Sequence, residues 1–170
     1  MKLWQLAFAC KVGPAFGVEF DRSLKTLEKE IGTALDIKLQ SHRDSLFKWL
    51  NAWGCRQFAK SAHGDAGTEL ARWATCNLSR LPSPGRSIQE LSSSDLTQIE
   101  AAFDDLRGRR ASLRENKRGA SISVEFGPTG AAKICYALRP NSLPMWDDAI
   151  RKRFGHDGSG KSYGQFILQA

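Results

Sequence analysis

The sequence predicts an all-α fold, and three observations support that prediction. Apolar residues recur every three or four positions in most segments, which is the period of an amphipathic helix. Glycine or proline closes most of these segments, and no alternating, strand-like pattern is longer than five residues. The chain has 170 residues, of which 41% are hydrophobic and 25% charged, enough for one core but not for two. We therefore expect a compact single-domain helical bundle over residues 1–170.

The expected helices follow one another along the chain. They cover residues 23–39, 46–53, 70–78, 94–106, 129–138, 147–154 and 163–168. Ser94 or Asp95 is the expected N-cap of the fourth helix. The Pro-, Ser- and Gly-rich stretch 81–93 predicts a flexible loop. Residues 122–126 alternate too briefly to predict a strand, and residues 1–20 fit either a strand or a helix.

The net charge of +7 and the isoelectric point of about 9.5 favour an anionic partner. A basic segment over residues 107–118 concentrates this charge, with six cations against Glu115, a sum of +5. Those cations are Arg107, Arg109, Arg110, Arg114, Lys117 and Arg118. Such a run is typical of a solvated helix end or loop, and in a basic protein it also fits a phosphate-backbone footprint.

The four cysteines form no CxxC pair and no cluster with histidine, so we predict neither a metal site nor a cofactor. Free thiols fit a reducing cytoplasm. The apolar run at residues 1–10 is interrupted by Gln5 and lacks a cleavage site, which argues against a signal peptide. Because no stretch approaches transmembrane length, we expect a cytoplasmic monomer without a membrane partner.

Two neighbouring motifs carry the chemistry. In the first, Gly127 and Gly130 bracket Pro128 just before a helix, and the unpaired amides of a helix start suit a phosphate. In the second, Asp147 and Asp148 begin a basic helix twenty residues after Gly127. Each motif alone also fits a bland interpretation, an ordinary turn for the glycines and an ordinary N-cap for Asp147.

The stretch 127–150 resembles the helix-hairpin-helix DNA glycosylase superfamily, whose signature is a hairpin, a Gly/Pro loop and a functional aspartate. Gly127 is followed four positions later by the small Ala131, and Asp147 lies about twenty positions on with Ile150 just beyond. The usual Leu-Pro-Gly-x-Gly hairpin is replaced here by residues 125–130. The resemblance implies an all-α domain without a cofactor that binds DNA and removes a damaged or modified base, in repair or in defence against modified foreign DNA.

The resemblance also implies roles for individual residues. Asp147 is the first choice for the functional acid and Asp148 the second. Family members that also cut the strand carry a lysine two positions after the hairpin glycine, where this chain has Thr129, so a monofunctional glycosylase is implied. Lys133 lies one turn further on the same helix face; it is a candidate amine nucleophile, a phosphate ligand or a solvated lysine.

The remaining candidate residues bind DNA or line a base pocket. A flipped base needs aromatic surfaces, for which Trp49, Trp53 and Trp146 are candidates, although tryptophans at helical spacing also fit a core. The expected DNA contacts are Gly127, Thr129, Gly130, Arg109, Arg110, Arg114, Lys117, Arg118 and Arg151. A non-catalytic nucleic-acid-binding module is the alternative function, and an interaction or toxin-type protein whose basic surface meets an acidic partner is a third.

Overall fold

The computed structural model describes residues 22–170, and the chain divides into two units between Leu35 and Asp36. In the first unit, α1 covers residues 22–31 and stops at Gly32, whose φ of 73° is accessible to glycine at little cost. The helix predicted over 23–39 is therefore too long. Residues 1–20, which fitted either a strand or a helix, lie outside the described part.

The second unit is mostly helical, as predicted. Its helices are α2 (Gln40–Ala52), α3 (His63–Asn77), α4 (Ser93–Arg107), α5 (Gly127–Leu138), α6 (Asp148–Arg153) and α7 (Gly160–Ile167). Short 3-10 helices cover Lys60–Ala62, Leu78–Arg80 and Ile88–Glu90. Five of the six α-helices begin earlier than the apolar pattern predicts, because their first turns carry polar residues, glycine or proline, which the pattern does not include.

The start of α4 shows this effect. Ser92 is the N-cap, and not Ser94 or Asp95 as predicted. The Ser92 hydroxyl accepts from the Asp95 amide at 3.2 Å, and the Asp95 carboxylate accepts from the Ser92 amide at 2.8 Å. Arg86 also donates two hydrogen bonds of 2.9 Å to Asp95, so the segment 81–93, predicted as a flexible loop, is tied to α4.

The prediction that no strand forms was wrong for one segment. An antiparallel hairpin joins β1 (Arg110–Glu115) to β2 (Ser121–Glu125), and the basic segment supplies its first strand. Asn116 closes the turn, since its side-chain oxygen accepts from the amides of Arg118 and Ala120 at 2.9 and 3.0 Å. Strand β1 does not alternate and β2 alternates over only five residues, so it is their pairing that satisfies both backbones.

Two aromatic clusters set the position of α5 and α6. In one, Phe103 of α4 stacks on Tyr163 of α7 at 4.2 Å, and Trp146 packs edge-on against both. Helix α7 approaches α4 so closely that a Cβ on Gly160 or Gly164 would overlap Glu100. This cluster places the chain just before α6.

The second cluster lies beneath the start of α5. Phe58 stacks on Phe47 at 5.1 Å and meets Phe126 edge-on at 4.9 Å, and all three rings are fully buried. Gln57 donates from Nε2 to the Phe126 carbonyl at 2.8 Å. The segment after α2 is thereby fixed against the first turn of α5.

Candidate functional site

An open cleft of about 720 Å³ lies where α5, α6 and the segment after α2 meet. It is lined by Trp53, Gly54, Cys55, Gln57, Thr129, Lys133, Asp147, Asp148, Ala149 and Lys152. All three candidate catalytic residues, Lys133, Asp147 and Asp148, are among them. The cleft also contains Trp53, one of the three tryptophans predicted for a base pocket.

Lys133 forms part of the cleft wall and is only 6% exposed. Its ammonium donates to the Trp53 carbonyl at 2.6 Å and lies 5.9 Å from the centre of the Trp53 ring. The interpretation of Lys133 as a solvated lysine is therefore wrong. Every residue of α5 from Gly130 to Leu138 is buried, so this part of the helix has no exposed face to carry the amine into solvent.

Cys55 lies beside Lys133 in the same wall. Burial raises the pKa of the Cys55 thiol, while the charge of Lys133 and a hydrogen bond from it act in the opposite direction and are weaker. The thiol is consequently protonated at neutral pH.

The two acids at the start of α6 differ in what they contact. Asp147 is the exposed N-cap, and its Oδ1 accepts from the Ile150 amide at 2.8 Å. Asp148 pairs with Arg151 and, at 2.6 Å, with Lys152, and the hydrogen bond from Lys152 is the main reason that the pKa of Asp148 is lowered. Within residues 22–170, Asp147 has no ion-pair partner. Asp147 is therefore the acid whose charge is not already neutralised.

The glycines of the motif have separate roles. Gly127 has a φ of 65°, which permits the sharp change of direction from β2 into α5. Gly130 is buried, and a Cβ there would lie 2.7 Å from Gln57 Nε2 and 3.1 Å from the Phe58 ring. It serves packing and was wrongly predicted as a DNA contact. Thr129, between them, lines the cleft in the first turn of α5.

The predicted phosphate ligands divide into two groups. Arg109 is engaged within the fold, since it donates twice to Asp105 at 2.9 Å and lies 3.5 Å from Glu69. Arg151 pairs with Asp148, and its buried Nη1 has no hydrogen-bond partner in the described part of the chain. The exposed cations are Arg110, Arg114, Lys117 and Arg118, all in the hairpin.

Only one predicted base-pocket tryptophan lies in the cleft. Trp53 is half-buried and lines it, whereas Trp49 is a buried residue of α2. Trp146 is fully buried between Phe103 and Tyr163, and its Nε1 donates to the Pro128 carbonyl at 3.3 Å. A base cannot stack on a ring enclosed in this way, so the pocket prediction is wrong for Trp146 and Trp49.

Sequence reasoning missed five of the ten lining residues, Gly54, Cys55, Gln57, Ala149 and Lys152, of which Cys55, Gln57 and Lys152 carry polar side chains. Gln57 donates a hydrogen bond to Phe126, which is 69 positions away along the chain, and no local sequence pattern predicts such a contact. Cys55 lies just after the helix predicted over residues 46–53. That position could have indicated a loop facing α5. Lys152 belongs to the basic last turn of α6, and its proximity to Asp148 in sequence could have indicated it.

Within residues 22–170, no group of three or more His, Cys, Asp or Glu side chains could hold a metal ion. No helix in that range is long and apolar enough to cross a bilayer. Comparisons with protein-family models, with curated proteins and with solved structures found no match. The relationship to the helix-hairpin-helix glycosylases therefore stays a prediction from the motif.

Proposed function

We propose that the protein is a DNA N-glycosylase that removes a damaged or modified base from a nucleotide flipped into the cleft. The observation that carries the proposal is the convergence of Asp147, Lys133 and Trp53 on this one cleft. These residues come from three separate segments, and each supplies a part that base excision needs: a carboxylate, a cation and an aromatic surface.

Asp147 is the residue to which we assign the chemistry. As the N-glycosidic bond breaks, the departing base takes the bonding electrons and, overall, the proton that the attacking water releases, and positive charge develops on the sugar. An unpaired carboxylate beside that sugar stabilises the charge and orients the water whose oxygen then bonds to the anomeric carbon. Asp148 is less suited to this task because Arg151 and Lys152 already compensate its charge.

Trp53 and Lys133 shape the rest of the proposed site. The half-buried Trp53 ring offers a face on which the flipped base can stack. Lys133, held by the Trp53 carbonyl, places a positive charge where the nucleotide phosphate or the leaving base would lie. Thr129 occupies the position of the strand-cutting lysine of the family, so we assign base release without strand cleavage. Borohydride trapping on abasic DNA should accordingly give no adduct through Lys133.

The experiment that tests the proposal compares Asp147→Asn with Asp148→Asn. Asparagine caps a helix about as well as aspartate, so Asp147→Asn removes the charge but keeps α6 intact. On duplexes that each carry one modified base, we expect Asp147→Asn to lower the rate of base release by about 10²–10⁴-fold. Asp148→Asn should lower it far less. Equal rates for the wild type and both variants would reject the assignment.

A non-catalytic nucleic-acid-binding module is the second candidate. The observation that favours it is the capping hydrogen bond of Asp147, because a structural role alone accounts for an aspartate at this position. Under this alternative the wild type binds DNA but releases no base from any modified duplex. Asp147→Asn then leaves binding unchanged.

A further inference from the structure

The exposed hairpin carries charge that neither the core nor the cleft uses. The structure divides the basic segment into two halves with different surroundings. The two arginines that precede the hairpin are neutralised by the fold, because Arg107 pairs with Asp104 at 2.6 Å and Arg109 with Asp105 at 2.9 Å. In the second half of the segment Arg114, Lys117 and Arg118 are exposed and have no ion-pair partner within the described range.

The hairpin is ordered along its length and joins the fold next to the cleft. Its strands are paired from Arg110↔Glu125 to Glu115↔Ser121, and its turn is ordered by Asn116. Strand β2 runs into α5 through one residue, Phe126, whose amide donates to the Arg109 carbonyl at 2.8 Å. Because Thr129 lines the cleft only two residues into α5, the base of the hairpin lies next to the cleft.

These dimensions fit duplex DNA beside the nucleotide in the cleft. Five residues of β2 span about 17 Å at the usual rise per strand residue. One DNA strand advances about 3.4 Å per nucleotide, so 17 Å corresponds to about five base pairs. A two-stranded ribbon also fits the major groove. The hairpin is therefore long enough for its tip to reach phosphates several base pairs away from a nucleotide in the cleft.

We propose that the hairpin is a second DNA contact, separate from the cleft, which grips the duplex on one side of the target nucleotide through Arg114, Lys117 and Arg118. This inference rests on the proposed function for the position of the target. It extends that function by naming the substrate class: duplex DNA with a flank of at least about five base pairs on the side of the hairpin.

The test uses a triple variant, Arg114→Ser, Lys117→Ser and Arg118→Ser. A matched control replaces three exposed cations outside the hairpin, Lys38→Ser, Lys48→Ser and Lys161→Ser. Both lose three positive charges. The probe is a duplex with one non-hydrolysable abasic-site analogue and ten base pairs on each side. Binding is measured across a salt series, and circular dichroism confirms that both variants fold.

We expect the hairpin variant to reduce the magnitude of the slope of log K against log salt by up to about 2.7, since each phosphate contact contributes about 0.9. The control should leave the slope unchanged. Shortening the flank to three base pairs on one side should weaken wild-type binding and abolish the difference between wild type and hairpin variant. Shortening the other side should do neither.

Equal slopes for the hairpin variant and the control would overturn the inference. Equal effects of the two shortened flanks would overturn the one-sided placement. If the hairpin variant lost affinity for single-stranded RNA but not for the duplex, the partner class would be wrong. Base release is not measured in this experiment. A protein that binds in this way but releases no base would therefore reject the glycosylase proposal and leave the hairpin contact standing.

Discussion

Gly130→Ala separates a packing role for this glycine from a role in binding DNA. In the folded chain a Cβ at position 130 would lie 2.7 Å from Gln57 Nε2 and 3.1 and 3.2 Å from two carbons of the Phe58 ring. The Gln57 amide can move, at the expense of its hydrogen bond to the Phe126 carbonyl. The Phe58 ring has little freedom, because Phe47 and Phe126 enclose it.

The expected loss of stability follows from three contributions. Overpacking of a tight core costs about 1–3 kcal/mol. The lost hydrogen bond from Gln57 adds about 1 kcal/mol. Alanine returns up to about 1 kcal/mol because it favours a helix over glycine. The net loss in the free energy of unfolding is thus about 1–3 kcal/mol, which moves a urea midpoint on the order of 1 M.

Equilibrium urea unfolding checks this value, and Gly64→Ala is the matched control. Gly64 also lies in a helix, but its added Cβ would meet nothing within 4 Å, so this variant should be neutral or slightly more stable. Adding Gln57→Ala to Gly130→Ala should recover part of the loss. If Gly130→Ala were as stable as the wild type but bound DNA poorly, our packing argument would be refuted.

Two further predictions concern α4. Gly160→Ala should lower the free energy of unfolding by about 3 kcal/mol and the melting temperature by about 6–12 °C, because its Cβ would overlap the Glu100 carbonyl; an unchanged melting temperature contradicts the close helix contact. The pKa of Asp105 is lowered, mainly by the hydrogen bond from Arg109. The ionised Asp105 carboxylate therefore stabilises the fold fully above its unfolded pKa of about 4, and this stabilisation is lost as the pH falls through the folded pKa. Urea midpoints between pH 7 and pH 2 should therefore fall less steeply for Asp105→Asn than for the wild type, and identical pH profiles would show that the pair contributes nothing.

The helical part of the fold could be predicted because its signals are local. Leu96, Ile99 and Phe103 recur at the helical period, and all three are buried in α4. Residue type and position also allowed Asp147 to be an ordinary N-cap, and its hydrogen bond to the Ile150 amide shows that it does cap α6. Such features depend on residues no more than four positions apart.

The hairpin could not be predicted in the same way. Its first strand is rich in arginine and its second has only five residues, so neither has a convincing pattern of its own. What stabilises the strands is their pairing across the Asn116 turn and the packing of Ala111, which is fully buried. Which residues of the two strands face each other depends on the geometry of the turn, and the pattern within either strand does not reveal it.

The cleft was predicted only in part, for a related reason. Residue types identified Asp147 and Asp148, but which acid is neutralised depends on where Arg151 and Lys152 point. The burial of Lys133 depends on the segment after α2, which is 80 residues away along the chain at Trp53. Helical spacing could not distinguish the half-buried Trp53 from the enclosed Trp146.

The central claim is that the unpaired carboxylate of Asp147 performs base excision in the cleft, and single-turnover base release tests it most directly. Wild type, Asp147→Asn and Asp148→Asn are each mixed in excess with duplexes that carry one modified base, and the free base is measured over time. We predict release by the wild type, a rate lower by about 10²–10⁴-fold for Asp147→Asn at unchanged DNA affinity, and a much smaller effect of Asp148→Asn. Base release by Asp147→Asn at the wild-type rate would contradict the claim.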